Sequence, residues 1–352
     1  MTTAAEIEAF VRALPKAELH LHLEGSITPV LAGRLATRRS VTLPPAYLVV
    51  APGAAPHFPS FEAFIQLYVA LSSCLQQAED VALAVGDLAE RLDQQGVRHA
   101  EVTFTPLTHI QRGVASEVLI EGLLAGRRAA RELGVELRYV FDIVRCFPEQ
   151  AEPTLDFARS VRAREEAAVV GLGIGGPEGP RWPTEPLAAT FAAARAEGLH
   201  SVPHAGEQWG PQSIREAIEL AHAERIGHGV RCIEDPELVR LLCERGIALE
   251  VCPTSNVALG VSRSIDEHPL PRLIEAGLSV SLGSDDPPLF GTDLVQEYVR
   301  CAQAFGWGPT QIRRLARASL EQAFMPASER ARLGAAQDAV PDPSFAQQGG
   351  GP

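Results

Sequence analysis

The sequence lacks the features that mark several classes of protein. Its six cysteines include no CxxC pair, so neither a disulfide framework nor a cysteine-rich metal site is indicated. Basic residues are also few: 31 lysines and arginines stand against 44 acidic residues, and the net charge of -13 would repel phosphate backbones and anionic bilayers. We therefore expect neither a nucleic acid partner nor a membrane partner, and the sequence leaves the oligomeric state open.

Signals for export and membrane insertion are missing as well. The longest uncharged stretch, residues 40–61, contains five prolines, which a membrane-spanning helix would not tolerate together. Near the N-terminus, Glu6 and Glu8 stand where a signal peptide needs a positive start and an apolar core. These patterns predict a cytoplasmic protein, in agreement with scattered cysteines that give no disulfide pattern.

The composition is otherwise that of an ordinary globular protein, with 46% hydrophobic and 21% charged residues. Eight short runs rich in β-branched and apolar residues alternate with amphipathic stretches, which predicts parallel strands joined by right-handed helical crossovers. No glycine-rich phosphate turn follows the first run, so a doubly wound open sheet is disfavoured and a (β/α)8 TIM barrel is predicted. The predicted strands are residues 17–23, 97–104, 136–144, 168–173, 200–204, 225–230, 247–251 and 278–283. The predicted crossover helices are residues 80–95, 115–133, 185–197, 211–223, 235–245 and 268–276.

Further segments extend the predicted barrel. Residues 28–80, between the first two strands, form an insertion that contains the proline-rich stretch and a predicted helix at 60–78. We expect this insertion to act as a lid over the barrel mouth. Residues 1–335 are predicted to form one hydrolase barrel domain, and residues 336–352 a disordered tail. Extra C-terminal helices are predicted at 293–305, 309–322 and 327–333.

Polar residues cluster at the carboxyl ends of the predicted strands, where the catalytic groups of such barrels lie. The first strand ends in His20-Leu21-His22, and strand alternation sends both imidazoles into the barrel. Buried ionisable groups at these ends would be costly unless they bound a metal or one another. The fifth, sixth and eighth strands end in the remaining candidates, which are His204, Glu207, His228, Asp285 and Asp286.

These residue types suit a metal-dependent hydrolase. Three histidines and an aspartate offer imidazole nitrogen and carboxylate oxygen, which favours zinc without excluding iron, manganese or cobalt. A bound cation would lower the pKa of a water molecule and so provide a nucleophile for hydrolysis. Glu207 lies three residues after His204, off the metal, and burial would raise its pKa enough for it to act as the proton donor.

Several positions keep more than one interpretation. His228 is a fifth ligand, a packing residue or the group that holds the attacking water, and its flanking glycines favour a place in the site. Asp285 is the better candidate for the metal, while Asp286 either bonds the substrate or caps the next helix. The alternative for the whole set is a group of hydrogen-bonded core histidines and capping aspartates.

Five sequence blocks resemble the adenosine deaminase family: PKAELHLHLEGS, HAGE, RIGHG, CPTSN and SDDP, in the family's order across residues 14–322. The resemblance implies a zinc-containing barrel that deaminates a 6-aminopurine at C6 and releases ammonia and an inosine-type product. A cytidine-type zinc deaminase would carry a PCxxC motif, which this chain lacks. The implied zinc ligands are His20, His22, His204 and Asp285. The resemblance also implies that His228 positions the hydroxide and that Glu207 protonates purine N1. It implies that Asp286 contacts N7 and that the Gly176 amide reaches N3.

The chain departs from the adenosine-specific pattern at the sugar end of the pocket. Glu24 replaces the aspartate that in the family contacts the ribose 5'-hydroxyl, and residues 176–178 read GPE in place of GDE. Both features look more like relatives that accept 6-aminodeoxyfutalosine, a menaquinone precursor, or free adenine. A futalosine-type substrate carries a benzoate, for which Arg145 or Arg181 would supply a cation near the mouth.

The predicted function is zinc-dependent hydrolytic deamination of a 6-aminopurine nucleoside. The expected order of substrates is 6-aminodeoxyfutalosine, then adenosine, then adenine. A catalytically silent member that binds purines or a protein partner is the alternative from another class. A different metal-dependent barrel hydrolase also stays open, although such enzymes commonly need a second metal bridged by a carboxylate or modified lysine, and lysine is scarce here.

Overall fold

Eight parallel strands form the centre of the computed structural model, which describes residues 3–51, 54–56 and 58–343. The strands are hydrogen-bonded to one another in chain order, as in a nearly closed barrel, and the predicted α/β barrel is confirmed. Their bounds are β1 (Lys16–His22), β2 (Val97–Phe104), β3 (Glu136–Val144), β4 (Val169–Gly175), β5 (His200–Ala205), β6 (Arg225–His228), β7 (Ala248–Val251) and β8 (Val280–Leu282).

The strands form where the sequence predicts them, with shifts at their ends. Every residue of β1 is buried, as expected for a strand whose two faces meet the barrel interior and the surrounding helices. β6 ends at His228 and not at residue 230, because Gly229 adopts φ +66° and Val230 begins a 3-10 turn. β8 has only three residues, since the backbone leaves the ladder on both sides of it.

Helices surround the strands, and the crossover helices lie close to their predicted positions. Caps explain several ends: the Asp235 side chain accepts hydrogen bonds from the first turn of one helix, and Gly246 ends that helix at φ +65°. Within the described residues, no helix has both the length and the apolar character needed to cross a bilayer. The helices are α1 (Ala4–Ala13), α2 (Pro29–Arg39), α3 (Pro45–Leu48), α4 (Phe61–Ser72), α5 (Ala78–Gln94), α6 (Pro106–Ile110), α7 (Ser116–Glu132), α8 (Ala151–Arg164), α9 (Ala188–Ala196), α10 (Pro211–Glu219), α11 (Pro236–Arg245), α12 (Pro253–Ala258), α13 (Leu270–Glu275), α14 (Pro287–Phe290), α15 (Leu294–Phe305), α16 (Pro309–Gln322) and α17 (Ala327–Asp338).

The insertion between β1 and β2 contains α2, α3 and α4. The helix predicted at 60–78 is shorter, because Ser72 and Ser73 bond back to the carbonyls of Val69 and Ala70 and the chain then leaves the helical path. Phe64 of α4 stacks on Phe290 of α14, with ring centroids 5.3 Å apart. This contact ties the insertion to the segment that follows β8, at the carboxyl end of the barrel.

The last helices cover the opposite end of the barrel. α16 packs against β1 and β8, and Ser319 Oγ accepts a hydrogen bond from the Ala17 amide at 3.0 Å. α17 continues to Asp338, beyond its predicted end, so the first residues of the predicted tail are helical. Residues 344–352 of that tail lie outside the described residues.

The ring of strands closes beside the candidate residues. Asp285, just beyond β8, forms a parallel bridge with Leu21 of β1. The Asp285 amide donates to the carbonyl of His20 at 3.0 Å, and the His22 amide donates to the carbonyl of Asp285 at 2.9 Å. The closure therefore places the carboxyl end of β8 against the two histidines of β1.

Candidate active site

The predicted metal ligands meet at the carboxyl end of the barrel. One ligand atom from each of His20, His204, His228 and Asp285 lies within 4.8 Å of the others. His22 joins them through its Nε2, which lies 3.2 Å from His204 Nε2 and 3.3 Å from Asp285 Oδ1. The structure thus brings together side chains that are more than 260 residues apart in the sequence.

Backbone strain accompanies this convergence. His228 and Asp285 adopt φ values of 60° and 62°, a left-handed conformation that costs a non-glycine residue on the order of 1–3 kcal/mol. Gly206, two residues after His204, also has a positive φ of 70°. Three strand ends therefore turn sharply where their functional side chains enter the site, and the surrounding packing holds them there.

The donor set fits a divalent cation. His20 Nδ1 lies 2.8 Å from Glu250 Oε2, whereas the buried Nε2 of His20 has no hydrogen-bond partner in the described part of the chain. On Asp285, Oδ2 accepts from Ser255 Oγ at 2.6 Å, and Oδ1 lies 3.6 Å from His20 Nε2. Burial opposes charge on His20, but Asp285 and Glu250 outweigh it and raise the pKa of His20 to about 10. A bound cation would take the place of that proton, as metal binding to histidine commonly does.

Glu207 stands on the wall of the same site and is 8% exposed. Burial, reinforced by the nearby carboxylate of Asp285, raises the pKa of Glu207 well above its usual range. Its backbone is held by Glu178, whose Oε1 accepts from the Glu207 amide and whose Oε2 accepts from the Gly206 amide, both at 3.0 Å. The turn that presents Glu207 is therefore held by the partly buried carboxylate of Glu178.

A chain of hydrogen bonds orients His228. The Leu270 amide donates to His268 Nδ1 at 3.1 Å, so the ring hydrogen of His268 lies on Nε2, which donates to Asn256 Oδ1 at 3.0 Å. Asn256 Nδ2 in turn donates to His228 Nδ1 at 3.2 Å. Burial lowers the pKa of His228 to about 3, so the ring is neutral and carries its hydrogen on Nε2, 3.8 Å from Glu207 Oε1.

Asp286 lines the site with a carboxyl group that makes no side-chain bond to the helix it precedes. Its buried Oδ1 has no hydrogen-bond partner among the described residues, which disfavours the helix-capping interpretation. Burial and the adjacent Asp285 raise the pKa of Asp286 well above its usual range. Gly25 is required here, because a Cβ atom at that position would lie 1.6 Å from Asp286 Oδ1.

A cavity of about 680 Å³ opens above these groups. Such a volume is typical of sites for drug-sized ligands, which range over about 300–1,000 Å³. Gly176, at φ +89°, also lines the cavity. α4 contributes apolar side chains to the wall, among them Phe61, Phe64 and Tyr68.

Three predicted substrate contacts lie away from this cavity. Glu24 is fully buried and accepts from the Thr105 amide at 3.0 Å and from Tyr68 Oη at 3.2 Å. Arg145 is 3% exposed and donates to the carbonyl of His204 at 2.6 Å, so its charge holds β5 and does not reach the mouth. Arg181 is exposed and lies over the ring of Trp182. Neither guanidinium group lines the cavity, because both have other partners in the structure. A role of Arg145 or Arg181 toward a substrate carboxylate stays a prediction.

Asp142 was not among the predicted residues. It lines the cavity near the end of β3, with Oδ2 3.9 Å from His204 Nδ1. Its buried Oδ1 has no hydrogen-bond partner in the part of the chain that the structure describes. Gly173 makes room for it, since a Cβ atom there would lie 2.0 Å from Asp142 Oδ1. With His22 and His204 it forms a second group whose ligand atoms lie within 4.8 Å. A charged residue within the apolar run of residues 139–144 is the signal that identifies Asp142 in the sequence.

Glu250 was also not among the predicted residues. It connects the site to a buried ion-pair network. Arg225 donates to Glu250 Oε1 and to Glu101 Oε2, and both acids are nearly inaccessible to solvent. Glu101 Oε1 also accepts from the Phe324 amide at 2.6 Å. The network runs through the barrel interior from His20 to the C-terminal segment.

Comparison with known proteins agrees with this geometry. The profile of a family described as Adenosine deaminase matches residues 15–339. An aminodeoxyfutalosine deaminase from Streptomyces coelicolor is 41% identical over 334 residues, which cover 93% of this chain and 84% of that protein. An adenine deaminase from Cupriavidus necator is 39% identical over 339 residues, covering 95% of this chain and 94% of that protein. The crystal structure of an amidohydrolase from Burkholderia ambifaria, with bound Zn, is 26% identical, has a TM-score of 0.85 and covers 96% of this chain and 93% of its own.

Proposed function

This chain belongs to the adenosine deaminase family, and we propose that it removes the 6-amino group of a purine nucleoside by hydrolysis. It is an aminohydrolase, and its relatives support deamination of an aminopurine. The observation that carries the proposal is the convergence of three histidines, Asp285 and Glu207 on one cavity. In the overall reaction water adds at C6, ammonia leaves, and a 6-oxopurine remains.

The metal that we propose is zinc, held by His20, His22, His204 and Asp285. The nitrogen and oxygen donors, the unpartnered Nε2 of His20 and the bound Zn in the Burkholderia amidohydrolase support this choice. When bound, the cation would lower the pKa of a water molecule toward neutrality and so supply the nucleophile. Glu250 and Ser255 would keep His20 and Asp285 in a binding orientation, as carboxylates and hydroxyls behind metal ligands commonly do.

The acid in this scheme is Glu207, which would give its proton to purine N1 as water adds to C6. Its buried position and raised pKa favour the protonated form at neutral pH. His228 would donate its Nε2 hydrogen to the attacking water. The hydrogen bond from Asn256 to Nδ1 favours this role over that of a fifth ligand, because a protonated Nε2 has no free lone pair for a metal.

Purine recognition would fall to Asp286 and Gly176. A raised pKa leaves the Asp286 carboxyl protonated and able to donate a hydrogen bond to N7. The backbone amide of Gly176 would reach N3 from the edge of the cavity. Together these contacts would orient the ring with C6 toward the histidine cluster.

The leading substrate that we propose is 6-aminodeoxyfutalosine, followed by adenosine. The S. coelicolor relative supports the first. A free base would fill only part of the cavity of about 680 Å³, and water would occupy the rest. Adenine is the alternative substrate, which the C. necator relative favours with nearly equal identity.

The segment at residues 28–80 would serve as a lid, since its α4 already forms one wall of the cavity. We propose that residues 1–335 work as one barrel domain in the cytoplasm. The ligand is a small molecule, and the net charge of -13 gives no reason to invoke nucleic acid or a membrane.

The test is a direct assay of the purified, metal-analysed protein against 6-aminodeoxyfutalosine, adenosine and adenine side by side. We expect the adenine absorbance band to be replaced by that of the 6-oxopurine, with ammonia released in equal amount. A fully zinc-loaded protein that deaminates none of the three would overturn the proposal. A protein that binds purines but retains no metal would instead support the catalytically silent alternative.

A further inference from the structure

Arg112 is a cationic residue of the cavity that no step of the proposed reaction uses. It follows α6, and among the described residues that line the cavity it is the only lysine or arginine. Its backbone amide donates to the carbonyl of His109 at 3.0 Å, which fixes the turn after α6. The backbone that carries this exposed side chain is therefore held in a defined turn at the cavity wall.

The charge of Arg112 is anchored but not neutralised. Nη1 donates to Ser72 Oγ at 2.6 Å, and this is the only side-chain hydrogen bond of Arg112 in the part of the chain that the structure describes. No carboxylate of the described residues lies within 4.0 Å of it, including Glu62, the acid of α4 that lines the same cavity. Glu24 acts on Arg112 only at longer range, and its oxygens are occupied by Thr105 and Tyr68.

The charges of the cavity are unevenly distributed. The acids that line the reacting end are Asp142, Glu207, Asp285 and Asp286. The rest of the lining is mainly apolar and aromatic, and Phe147 lines the cavity although it is 45% exposed. A ligand that fills this space would therefore combine a purine, an apolar or aromatic arm, and a group that neutralises an arginine.

We propose that Arg112 binds a carboxylate at the far end of the substrate, so that the preferred substrate is a 6-aminopurine nucleoside with an anionic group on an apolar arm. This inference rests on the proposed deamination and adds the residue that selects the substrate. Arginine presents paired N–H donors that match a carboxylate, and Nε and Nη2 of Arg112 make no hydrogen bond to the described residues. Burial of Arg112 by the apolar arm would strengthen the ion pair, because the local dielectric falls.

The experiment compares two substrates that differ only in charge: 6-aminodeoxyfutalosine and its methyl ester. Both are deaminated at the same purine, so the ratio of their kcat/KM values isolates recognition of the carboxylate. We expect the zinc-loaded native protein to prefer the acid, and Arg112→Gln to reduce this preference about 10- to 100-fold, mainly through KM. Arg112→Lys should retain part of the preference, because it keeps the charge and loses the paired donors.

Arg181→Gln is the matched control, since it removes an exposed arginine outside the cavity and should leave the ratio of the two substrates unchanged. An unchanged ratio in Arg112→Gln would overturn the inference, as would a native protein with no preference for the acid. Equal losses on acid and ester would show that Arg112 only ties α6 to α4 through Ser72. Failure of the native protein on adenosine, adenine and both futalosine substrates would instead refute the proposed deamination.

Discussion

Asn256 Nδ2 lies 3.2 Å from His228 Nδ1 and leaves the ring hydrogen of His228 on Nε2, the nitrogen that faces Glu207 and Asp285. Asn256 is itself held by His268, whose tautomer is set by a backbone amide. The orientation of one imidazole in the site is therefore determined by a backbone group that does not line the cavity.

Asn256→Ala should lower kcat on the order of 10- to 100-fold, because His228 would lose the partner that fixes its tautomer. Zinc content should stay at the native level, since Asn256 contacts none of the proposed ligands. Steady-state kinetics with metal analysis would check both outcomes. His268→Gln, which keeps a donor for Asn256 Oδ1, is the milder companion variant. Native kcat in Asn256→Ala would show that the tautomer of His228 does not limit the reaction.

Glu207→Gln should retain the metal and lose turnover by a factor on the order of 10² or more, because an amide cannot give up a proton to the purine. Glu62→Gln is a suitable control, as it neutralises another acid of the same cavity wall. Single-turnover assays and zinc analysis of both variants would check the prediction. Substantial activity in Glu207→Gln would require another acid, and Asp142 would be the next candidate.

Asp285→Ala and Asp286→Ala should separate metal binding from purine binding. The first variant should lose zinc, because Asp285 lies within 3.6 Å of both His20 and His22. The second should keep zinc and show weaker binding of purines, since the Asp286 side chain lines the cavity and its Oδ1 has no hydrogen-bond partner among the described residues. Metal analysis after dialysis and a titration with a purine product would distinguish them. Zinc retained by Asp285→Ala and lost by Asp286→Ala would exchange the two assignments.

Glu101 should contribute to stability against acid. Burial opposes its charge, but Arg225 and His99 outweigh burial and lower the pKa of Glu101 from 4.5 to about 2. The stabilisation is therefore complete above pH 4.5 and is lost as the pH falls toward 2, with a full value of roughly 3 kcal/mol.

Chemical denaturation of the native protein and Glu101→Gln, with a chelator present throughout, would measure this effect. Between about pH 6 and about pH 3 the free energy of unfolding should fall less steeply in the variant. Glu79→Gln, at an exposed position, is the control and should follow the native curve. Parallel curves for Glu101→Gln and the native protein would contradict the pKa assigned to this carboxyl.

Much of the fold and the centre of the site are readable from the sequence, because both depend on local pattern. Apolar runs separated by amphipathic helices predict the barrel, and the barrel in turn brings strand-end residues such as His20 and Asp285 together. The resemblance to the adenosine deaminase family is confirmed. Most of the predicted residues line the site, whereas Glu24, Arg145 and Arg181 do not. The roles assigned to all of them stay predictions until the variants are measured.

The sequence alone was insufficient where the role of a charge depends on its neighbours in space. Arg145 follows the third strand as a substrate-binding arginine would, yet its guanidinium reaches the His204 carbonyl on a neighbouring strand. Arg112 lies after a short helix without a distinctive pattern, and only the folded insertion shows that it lines the cavity. Asp142 and Glu250 are visible in the sequence as charged residues flanked by apolar ones, but their partners in space are not.

Asp285, which forms the bridge with Leu21, has two roles. Its amide and carbonyl connect the last strand to the first by hydrogen bonds, while its carboxylate faces the histidines. Binding of a metal to that carboxylate would therefore stabilise the contact that closes the barrel, and loss of this contact would move the ligands apart. Metal binding and closure of the barrel would therefore be thermodynamically coupled in this protein.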